Sequence, residues 1–259
     1  MTGTVLVTGA TGTLGREVVR ELVARGVAVR GLSRRARGGG DGVEWVVGDL
    51  VTGAGVAEAV AGVEVVVDCA TTVGKKDVVA VRTLVAAAER AGVRHLVYVS
   101  IVGIDRVPLS YYRVKVACEE LVRGSGLGWT VLRATQFHDL LLKVFDVSAR
   151  LPVFPVLSGA RFQPVDVRDV AARVAELAGE EPAGYAPEVG GPRVWAYREL
   201  VAAYLRAAGR RRVRVPLRLP GAVGRGLRAG GNLAPERAVG RRTFEEALAA
   251  RFGGRFGGR

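Results

Sequence analysis

The sequence predicts an α/β protein built on a doubly wound parallel sheet, with a smaller cap at its C-terminal end. Two observations predict this fold: short β-branched runs alternate with longer Ala/Leu/Arg segments, and the runs are apolar throughout. Such alternation produces right-handed βαβ units whose helices bury both faces of the sheet. With 49% hydrophobic and 24% charged residues, a chain of 259 residues can bury such a core.

Six strands and three helices are expected in the first half of the chain. The strands are expected at 4–8, 28–32, 43–47, 63–69, 95–100 and 129–132. The helices are expected at 14–25, 78–91 and 111–123. In the first of these helices the apolar residues recur at helical spacing.

The alternation changes after Thr135, where six prolines between Pro152 and Pro192 divide the chain into short pieces. Helices are expected at 136–149, 166–177 and 196–207. We therefore assign 1–135 to the core and 136–259 to a mixed segment that returns to the core and forms the cap. The end of the chain, RFGGRFGGR at 251–259, is a basic repeat that we expect to be flexible.

A glycine-rich turn joins the first strand to the first helix. In this GATGTLG segment the first glycine permits a sharp turn, the second lets the backbone approach a pyrophosphate, and the third allows close helix–strand packing. Free N–H groups at the helix start can hold the phosphates, although a tight turn without a ligand would need the same glycines. The residues expected to bind a dinucleotide here are Gly9, Thr11, Gly12, Thr13, Leu14 and Gly15.

The residues after the second strand indicate which dinucleotide is bound. An NAD site commonly has a carboxylate about 20 residues further on, for the ribose 2′-OH. Here no acid lies between Glu21 and Asp41, and the strand is followed by Ser33, Arg34 and Arg35. Because a guanidinium matches a 2′-phosphate in charge and geometry, the sequence predicts NADP(H). The alternative is that these arginines belong to a solvated basic loop.

The ends of later strands are expected to complete the cofactor site, because ligands of such sheets bind at the carboxyl ends of strands. Asp49 and Leu50, after the third strand, are expected beside the adenine. Ala70, Thr71 and Thr72, after the fourth strand, are expected beside the ribose and the pyrophosphate.

A tyrosine and a lysine share one face of the helix after the fifth strand. Tyr111 and Lys115 are four positions apart in SYYRVK. A nearby ammonium should lower the pKa of the phenol from its ordinary value of about 10. Tyr111 could then give a proton to a carbonyl oxygen while the cofactor gives hydride, and Lys115 could hold the nicotinamide ribose. A surface Tyr–Lys pair, or Tyr112 as the acting phenol, are the alternatives.

With these motifs in place, the chain resembles the atypical short-chain dehydrogenases/reductases, above all their NmrA-like NADP-binding branch. The matching segments occur in family order over roughly residues 2–210: VTGATGTLG, VVGDL, HLVYVS, YxxxK at Tyr111–Lys115, WTVLRATQF and PVDVRDVA. The resemblance implies a Rossmann-type core with a small C-terminal substrate-binding cap. It also implies that Ala134, Thr135, Gln136 and Phe137 lie along the nicotinamide and the substrate.

The sequence departs from the family at the hydroxyl that binds the substrate oxygen. In related enzymes it often lies two residues after the serine that ends the fifth strand, and Val102 occupies that position here. Ser100 is therefore the third catalytic candidate. Some relatives that lack the tyrosine are redox-sensing regulators, whereas this chain keeps Tyr111.

The sequence thus favours an NADPH-dependent oxidoreductase of the ketoreductase or quinone-reductase type, acting on a small carbonyl or conjugated molecule. A substrate from secondary metabolism would fit the GC-rich coding that an arginine-rich chain indicates. Two alternatives stay open. One is a non-enzymatic NADP(H)-sensing regulator of the NmrA type, and the other is a nucleotide-sugar epimerase or dehydratase, in which hydride returns to the substrate.

Positive charge is concentrated near the C-terminal end. The chain has a net charge of +13, and residues 205–259 contain 14 arginines against three glutamates. Because the chain contains only four lysines, a coding bias toward arginine explains most of this excess. Nucleic-acid binding through Arg210–Arg212 or Arg241–Arg242 is the weaker interpretation.

The other polar residues suggest few further sites. His138 follows the predicted substrate segment and could orient a substrate together with Gln136, although a capping role is simpler. Two histidines without clustered carboxylates predict no metal site, and Cys69 and Cys118 predict no disulfide scaffold. The sequence contains no run long enough for a membrane span and no recognisable export signal, so we expect a cytoplasmic protein without a membrane partner. We expect it to be a monomer or homodimer with a small-molecule substrate.

Overall fold

The computed structural model describes residues 3–38 and 42–253, so the expected flexible repeat at 251–259 lies outside the described residues from 254 onward. The chain divides into two compact units. The first unit comprises Met1–Ser100, Ser110–Arg133 and Val170–Pro187, and the second comprises Ile101–Leu109, Ala134–Asp169 and Glu188–Arg259.

The strands range from two to seven residues. They are β1 (Thr4–Thr8), β2 (Val29–Ser33), β3 (Val43–Val47), β4 (Val63–Asp68), β5 (His95–Ile101), β6 (Gly128–Ala134), β7 (Val153–Leu157), β8 (Arg161–Phe162), β9 (Gly184–Tyr185), β10 (Trp195–Ala196) and β11 (Val213–Leu217).

The helices connect or follow these strands. They are α1 (Gly15–Ala24), α2 (Val56–Val60), α3 (Lys76–Arg90), α4 (Ser110–Arg123), α5 (His138–Ser148), α6 (Val167–Gly179), α7 (Tyr197–Ala207), α8 (Gly221–Arg228) and α9 (Phe244–Phe252), with a 3₁₀ turn at Pro235–Arg237.

The central sheet has seven strands in the order β3-β2-β1-β4-β5-β6-β9. Val5 of β1 pairs in parallel with Val29 on one side and Val65 on the other. The strand order reverses between β1 and β4, which opens a crevice at their carboxyl ends where ligands of such sheets bind. The predicted doubly wound parallel sheet is therefore confirmed.

Apolar side chains from α2, α3 and α4 bury one face of the sheet in the first unit. Leu6, Val66 and Leu84 are fully buried in this core, and Cys118 of α4 packs in it as a small apolar residue. The strands are apolar at successive positions because both of their faces are covered.

The second unit is built around aromatic rings. Phe145 of α5 lies 5.4 Å from the Tyr204 ring, 5.6 Å from the Tyr197 ring and 5.9 Å from the Phe154 ring, measured between centroids. Around this cluster are two small sheets, a parallel pair of β7 with β11 and an antiparallel pair of β8 with β10.

The six predicted strands and six predicted helices all occur, each within two residues of its expected bounds. The elements that the sequence did not indicate are α2, α8, α9 and β7–β11. They are two to nine residues long, and β7, β11 and α8 contain proline or several glycines, so periodicity gives little signal there.

Candidate functional site

The glycine turn closes against the end of β4. Gly9 has a φ of +60°, and a Cβ there would lie 2.7 Å from the Cys69 carbonyl oxygen. A Cβ on Gly15 would lie 2.1 Å from the Gly9 carbonyl oxygen. Packing alone therefore explains these two glycines. Gly12 is different, because it is exposed and a Cβ there would meet one atom, at 3.1 Å, so its missing side chain keeps the outside of the turn open.

The turn also leaves backbone donors unpaired. The N–H groups of Thr11, Thr13, Leu14 and Gly15 donate no hydrogen bond to any residue in 3–38 or 42–253. Helix α1 begins at Gly15, the last of these residues, without a side-chain cap. Unpaired N–H groups at the positive end of a helix dipole suit a pyrophosphate, so the turn fits the predicted cofactor.

Two arginines directly follow β2, the strand that pairs with β1. Ser33 is buried and its hydroxyl accepts the Arg35 N–H at 3.3 Å, whereas the side chains of Arg34 and Arg35 are exposed. Within the described part of the chain, neither guanidinium forms an ion pair. Arg37, by contrast, stacks on Trp45 at 5.1 Å. Two positive charges that no described residue pairs therefore lie beside the strand that carries the glycine turn.

Asp49 and Leu50 stabilise the turn after β3. The Asp49 carboxylate accepts the Val51 N–H at 2.7 Å, and its carbonyl accepts the Gly53 N–H at 2.8 Å. Leu50 is buried in the core of the first unit. These contacts account for both residues structurally, and their role beside the adenine stays a prediction.

A buried carboxylate joins the ends of β1 and β4. Asp68 accepts the Thr8 hydroxyl at 2.5 Å and the Ala70 N–H at 3.0 Å. Burial raises the pKa of the Asp68 carboxyl, although these hydrogen bonds and the charge of Lys115 oppose the shift. Sequence reasoning missed Asp68, whose only local signal is an acid at the end of an apolar strand.

A second buried carboxylate fixes the loop after β4. Asp77, in the first turn of α3, accepts the Thr72 N–H and hydroxyl at 2.6 Å each and the Thr71 hydroxyl at 2.7 Å. Val73 has a φ of +56°, which a β-branched residue rarely adopts. The loop is therefore held in a strained conformation by a residue that the sequence analysis did not single out.

Lys115 is buried and binds Tyr98 of β5. Its Nζ donates to the Tyr98 hydroxyl at 2.6 Å and to the Val99 carbonyl at 2.8 Å. Burial lowers the pKa of the Lys115 ammonium, while the negative charge of Asp68 opposes that shift. Tyr98 is a further residue that sequence reasoning missed.

Tyr111 binds the Asp77 loop instead of the lysine. Its hydroxyl lies 2.8 Å from the Thr71 hydroxyl and donates to Asp77 Oδ2 at 3.4 Å. The expected lowering of the Tyr111 pKa is wrong: burial, with the negative charge of Asp77, raises it to about 12 against the effect of the Thr71 hydrogen bond. Sharing a helix face did not bring the ammonium to this phenol, because the long lysine side chain reaches a partner on the sheet.

Ser100 carries an unpaired hydroxyl. It is 3% exposed, and its Oγ has no hydrogen-bond partner among the described residues. Ser100 and Tyr98 are two apart on β5, so their side chains point to the same face of the sheet. A buried hydroxyl without a partner is costly, which fits a group that a ligand would satisfy.

Residues 134–137 belong to the second unit and have structural partners there. Ala134 and Phe137 each form a parallel bridge with a later segment. The Thr135 hydroxyl donates to a backbone carbonyl at 2.5 Å, and the Gln136 amide donates to another at 3.0 Å. These bonds explain the polar side chains, and contact with nicotinamide or substrate stays a prediction.

His138 is buried in the second unit, with its Nδ1 3.7 Å from Asp166 Oδ2 and its ring edge-on to Phe244. Burial alone would raise the pKa of Asp166, but hydrogen bonds from Arg168 hold it well below its usual range. The Asp166 carboxylate also accepts the Arg168 N–H at 2.9 Å at the start of α6. Asp166 therefore caps the start of α6.

The described residues form no group of three or more His, Cys, Asp or Glu side chains that could hold a metal ion. In the same residues, every helix is too short or too polar to cross a membrane.

Known proteins resemble the chain in both sequence and fold. The family model described as NAD(P)H-binding matches residues 9–179, which are 171 of the 259 residues. The matched range starts at the first glycine of the turn and includes Tyr111 and Lys115.

Two curated relatives have different activities in their names. The (4-alkanoyl-5-oxo-2,5-dihydrofuran-3-yl)methyl phosphate reductase of Streptomyces griseus is 37% identical over 213 residues, which cover 80% of this chain and 74% of that protein. The photosystem II assembly factor Ycf39 of Cyanophora paradoxa is 32% identical over 157 residues, but these cover 55% of this chain and only 48% of the factor.

A solved structure shows the same fold. The NADPH-dependent quinone oxidoreductase of Escherichia coli, complexed with NADPH, superposes with a TM-score of 0.80 at 22% identity, covering 96% of this chain and 99% of that one. At this identity the likeness concerns the fold alone.

Gly15→Ala should destabilise the protein, because the new Cβ would lie 2.1 Å from the Gly9 carbonyl oxygen. We expect urea denaturation to show a loss of about 1–3 kcal/mol in the free energy of unfolding. Gly179→Ala is the matched control, since a Cβ there meets nothing within 4 Å. Equal stability of the two variants would contradict the close packing of the turn.

Tyr111 should ionise late in the folded protein. Its absorbance, taken as the difference between wild type and Tyr111→Phe after rapid mixing into alkali, should titrate with a midpoint at a pH of about 12. Since an unfolded tyrosine ionises near pH 10, the unfolded chain loses this proton first, and Tyr111 lowers the stability as the pH rises from about 10 to 12. A midpoint below pH 10 would contradict the raised pKa and would support the lowering of the Tyr111 pKa by Lys115 that the sequence predicted.

Proposed function

This chain belongs to the NAD(P)H-binding family, and from that premise we propose that it is an NADPH-dependent reductase of a small carbonyl, quinone or related conjugated molecule. The observation that carries the proposal is the glycine turn with its unpaired N–H groups at the start of α1. The relative named as a reductase, 37% identical over most of both chains, supports the reaction class. The segments shared with the NmrA-like branch support membership of that finer group.

The preference for NADPH rests on charge. Arg34 and Arg35 are exposed after β2 and unpaired within the described residues, and a dianionic 2′-phosphate is the ligand that two such guanidinium groups would suit. The carboxylate that an NAD site commonly offers to the ribose hydroxyl is missing from that strand end.

Each site residue has a separate task in this proposal. The bound cofactor supplies hydride. With a pKa of about 12, Tyr111 keeps its proton at neutral pH and can donate it to the oxygen of the substrate. Ser100 offers its unpaired hydroxyl to the same oxygen. Thr71 and Asp77 hold the Tyr111 hydroxyl in place, and Lys115 would supply an ammonium for the nicotinamide ribose.

We propose that the second unit serves as the substrate cap and that its residues 134–137 bind beside the nicotinamide. Gln136 and His138 are the substrate candidates in it. The buried, unpaired ring nitrogens of His138 support that role more than the Gln136 amide, whose groups already bind backbone.

An NADP(H)-binding regulator or assembly factor is the second candidate function. Two observations favour it: the similarity to a protein named as an assembly factor, and the binding of Lys115 to Tyr98 instead of Tyr111. Tight discrimination between NADP⁺ and NADPH, without turnover of any carbonyl or quinone in a broad panel, would support this candidate over the reductase.

Tyr111→Phe should abolish most of the turnover and leave NADPH binding intact. Removing a proton donor typically costs 10²–10⁴-fold, so we expect kcat to fall at least about a hundredfold while the Kd for NADPH changes little. NADPH oxidation with the best substrate of the panel measures kcat, and cofactor fluorescence measures binding. Tyr112→Phe, one position away, is the control; a near wild-type rate in Tyr111→Phe would remove the tyrosine from the mechanism.

The double variant Arg34→Ser/Arg35→Ser should bind NADPH at least about tenfold more weakly, because a hydrogen bond to a charged group contributes about 1.5–3 kcal/mol. Binding of NADH should stay unchanged, since it has no 2′-phosphate. Calorimetry with both cofactors tests this, with the exposed Arg82→Ser as control. Parallel losses for NADPH and NADH would show that the arginines do not read the phosphate.

A further inference from the structure

One face of the small sheet formed by β7 and β11 is apolar and exposed. Val213, Val215 and Leu217 point to the same side of β11 and are 69%, 42% and 45% exposed. Their register partners on β7 are also apolar: Val153, Pro155 and Leu157. The opposite face of β7 is used inside the second unit, where Phe154 and Val156 are buried.

Two further exposed apolar side chains lie at the end of α5 and just after it. The Arg212 guanidinium, at the start of β11, donates to the Ala149 carbonyl at 3.2 Å and so joins the strand to the end of that helix. Val147 and Leu151, on either side of Ala149, are 62% and 46% exposed. We call the set Val153, Val213, Val215 and Leu217, on one face of the small sheet, the apolar patch.

Positive charge flanks the strand β11 that carries most of the apolar patch. Residues 200–235 contain eight arginines and no acid. Arg218, directly after β11, and Arg211, one residue removed from its start, are exposed, as is Arg214 on the opposite face of the strand, and none forms an ion pair with a described residue. A coding bias accounts for arginine in place of lysine, but it does not account for the absence of any acid from this stretch of the sequence.

We infer that this patch docks the protein onto an anionic lipid bilayer. Aliphatic side chains flanked by arginines are the composition of an interfacial membrane anchor, whose apolar groups enter the boundary of the acyl chains while the guanidinium groups bind lipid phosphates. The sequence-based expectation of no membrane partner excluded spanning segments, and a surface anchor needs none. The inference is independent of the proposed reductase activity.

Other occupants fit the charge or the apolar groups, but not both. A second copy of the chain would bring arginines against arginines, and like charges across an interface oppose association. Nucleic acid would bind the arginines, yet single-strand sites stack bases on aromatic rings, and the patch is purely aliphatic. A bilayer of acidic lipid satisfies both components.

Flotation of the full chain with vesicles tests the inference. At physiological salt, we expect the protein to float with vesicles of one part phosphatidylglycerol to three parts phosphatidylcholine, and at least tenfold less with pure phosphatidylcholine. One basic residue near such a surface strengthens binding about fivefold, so Arg211→Ser/Arg214→Ser/Arg218→Ser should bind on the order of a hundredfold more weakly. Val213→Ser/Val215→Ser/Leu217→Ser should also lose at least tenfold.

Matched variants keep the result interpretable. Arg82→Ser/Arg90→Ser/Arg198→Ser removes the same charge from exposed positions away from the patch, and Val79→Ser/Val239→Ser removes exposed apolar groups there. Both controls should float like wild type, and circular dichroism should show every variant folded. Absence of flotation with the anionic vesicles, or equal flotation of patch and control variants, would overturn the inference. So would a patch-dependent dimer in light scattering, or patch-dependent DNA binding without vesicle binding.

Discussion

The burial of three ionisable groups near the carboxyl ends of the central strands constrains the rest of the first unit. Asp68, Asp77 and Lys115 are 2%, 3% and 5% exposed. A buried charge is tolerated only when hydrogen bonds or opposite charges replace its water. Each of the three therefore recruits neighbours, and the loop after β4, the end of β1 and the ring of Tyr98 take their positions as those partners.

The same constraint explains why the sequence predicted the fold but did not predict all of the site residues. Strands such as 4–8 and 43–47 can be predicted from the local sequence, because an apolar run and a glycine turn lie within ten residues of each other. Asp68 and Thr8 are 60 positions apart, and Lys115 and Tyr98 are 17 apart on different elements. The periodicity of apolar residues along the sequence does not indicate such distant pairs. The Tyr111–Lys115 spacing predicted a shared helix face. The long, flexible lysine side chain nevertheless binds Tyr98 on the sheet, a contact that spacing along the helix does not indicate.

The glycine turn shows how one motif can have two physical explanations at once. Gly9 and Gly15 are demanded by backbone contacts that exist without a ligand, whereas Gly12 is exposed and a Cβ there would meet a single backbone oxygen, at 3.1 Å. The unpaired N–H groups, more than the glycines themselves, carry the argument for a phosphate. The raised pKa of Tyr111 keeps its phenol protonated at neutral pH, so in the proposed chemistry this residue is the proton donor.

The interleaving of the two units has a consequence for dissecting the protein. Strand β9 and most of α6 belong to the first unit, although they come after residue 169 in the chain. A fragment that stopped at 135 would retain the turn and Tyr111, but β6 would lose its β9 neighbour and become an open edge, the kind of surface that recruits strands from other molecules. The nucleotide-binding half of the sequence is therefore not an autonomous module, and domain swaps or minimal versions must carry the later segment with it.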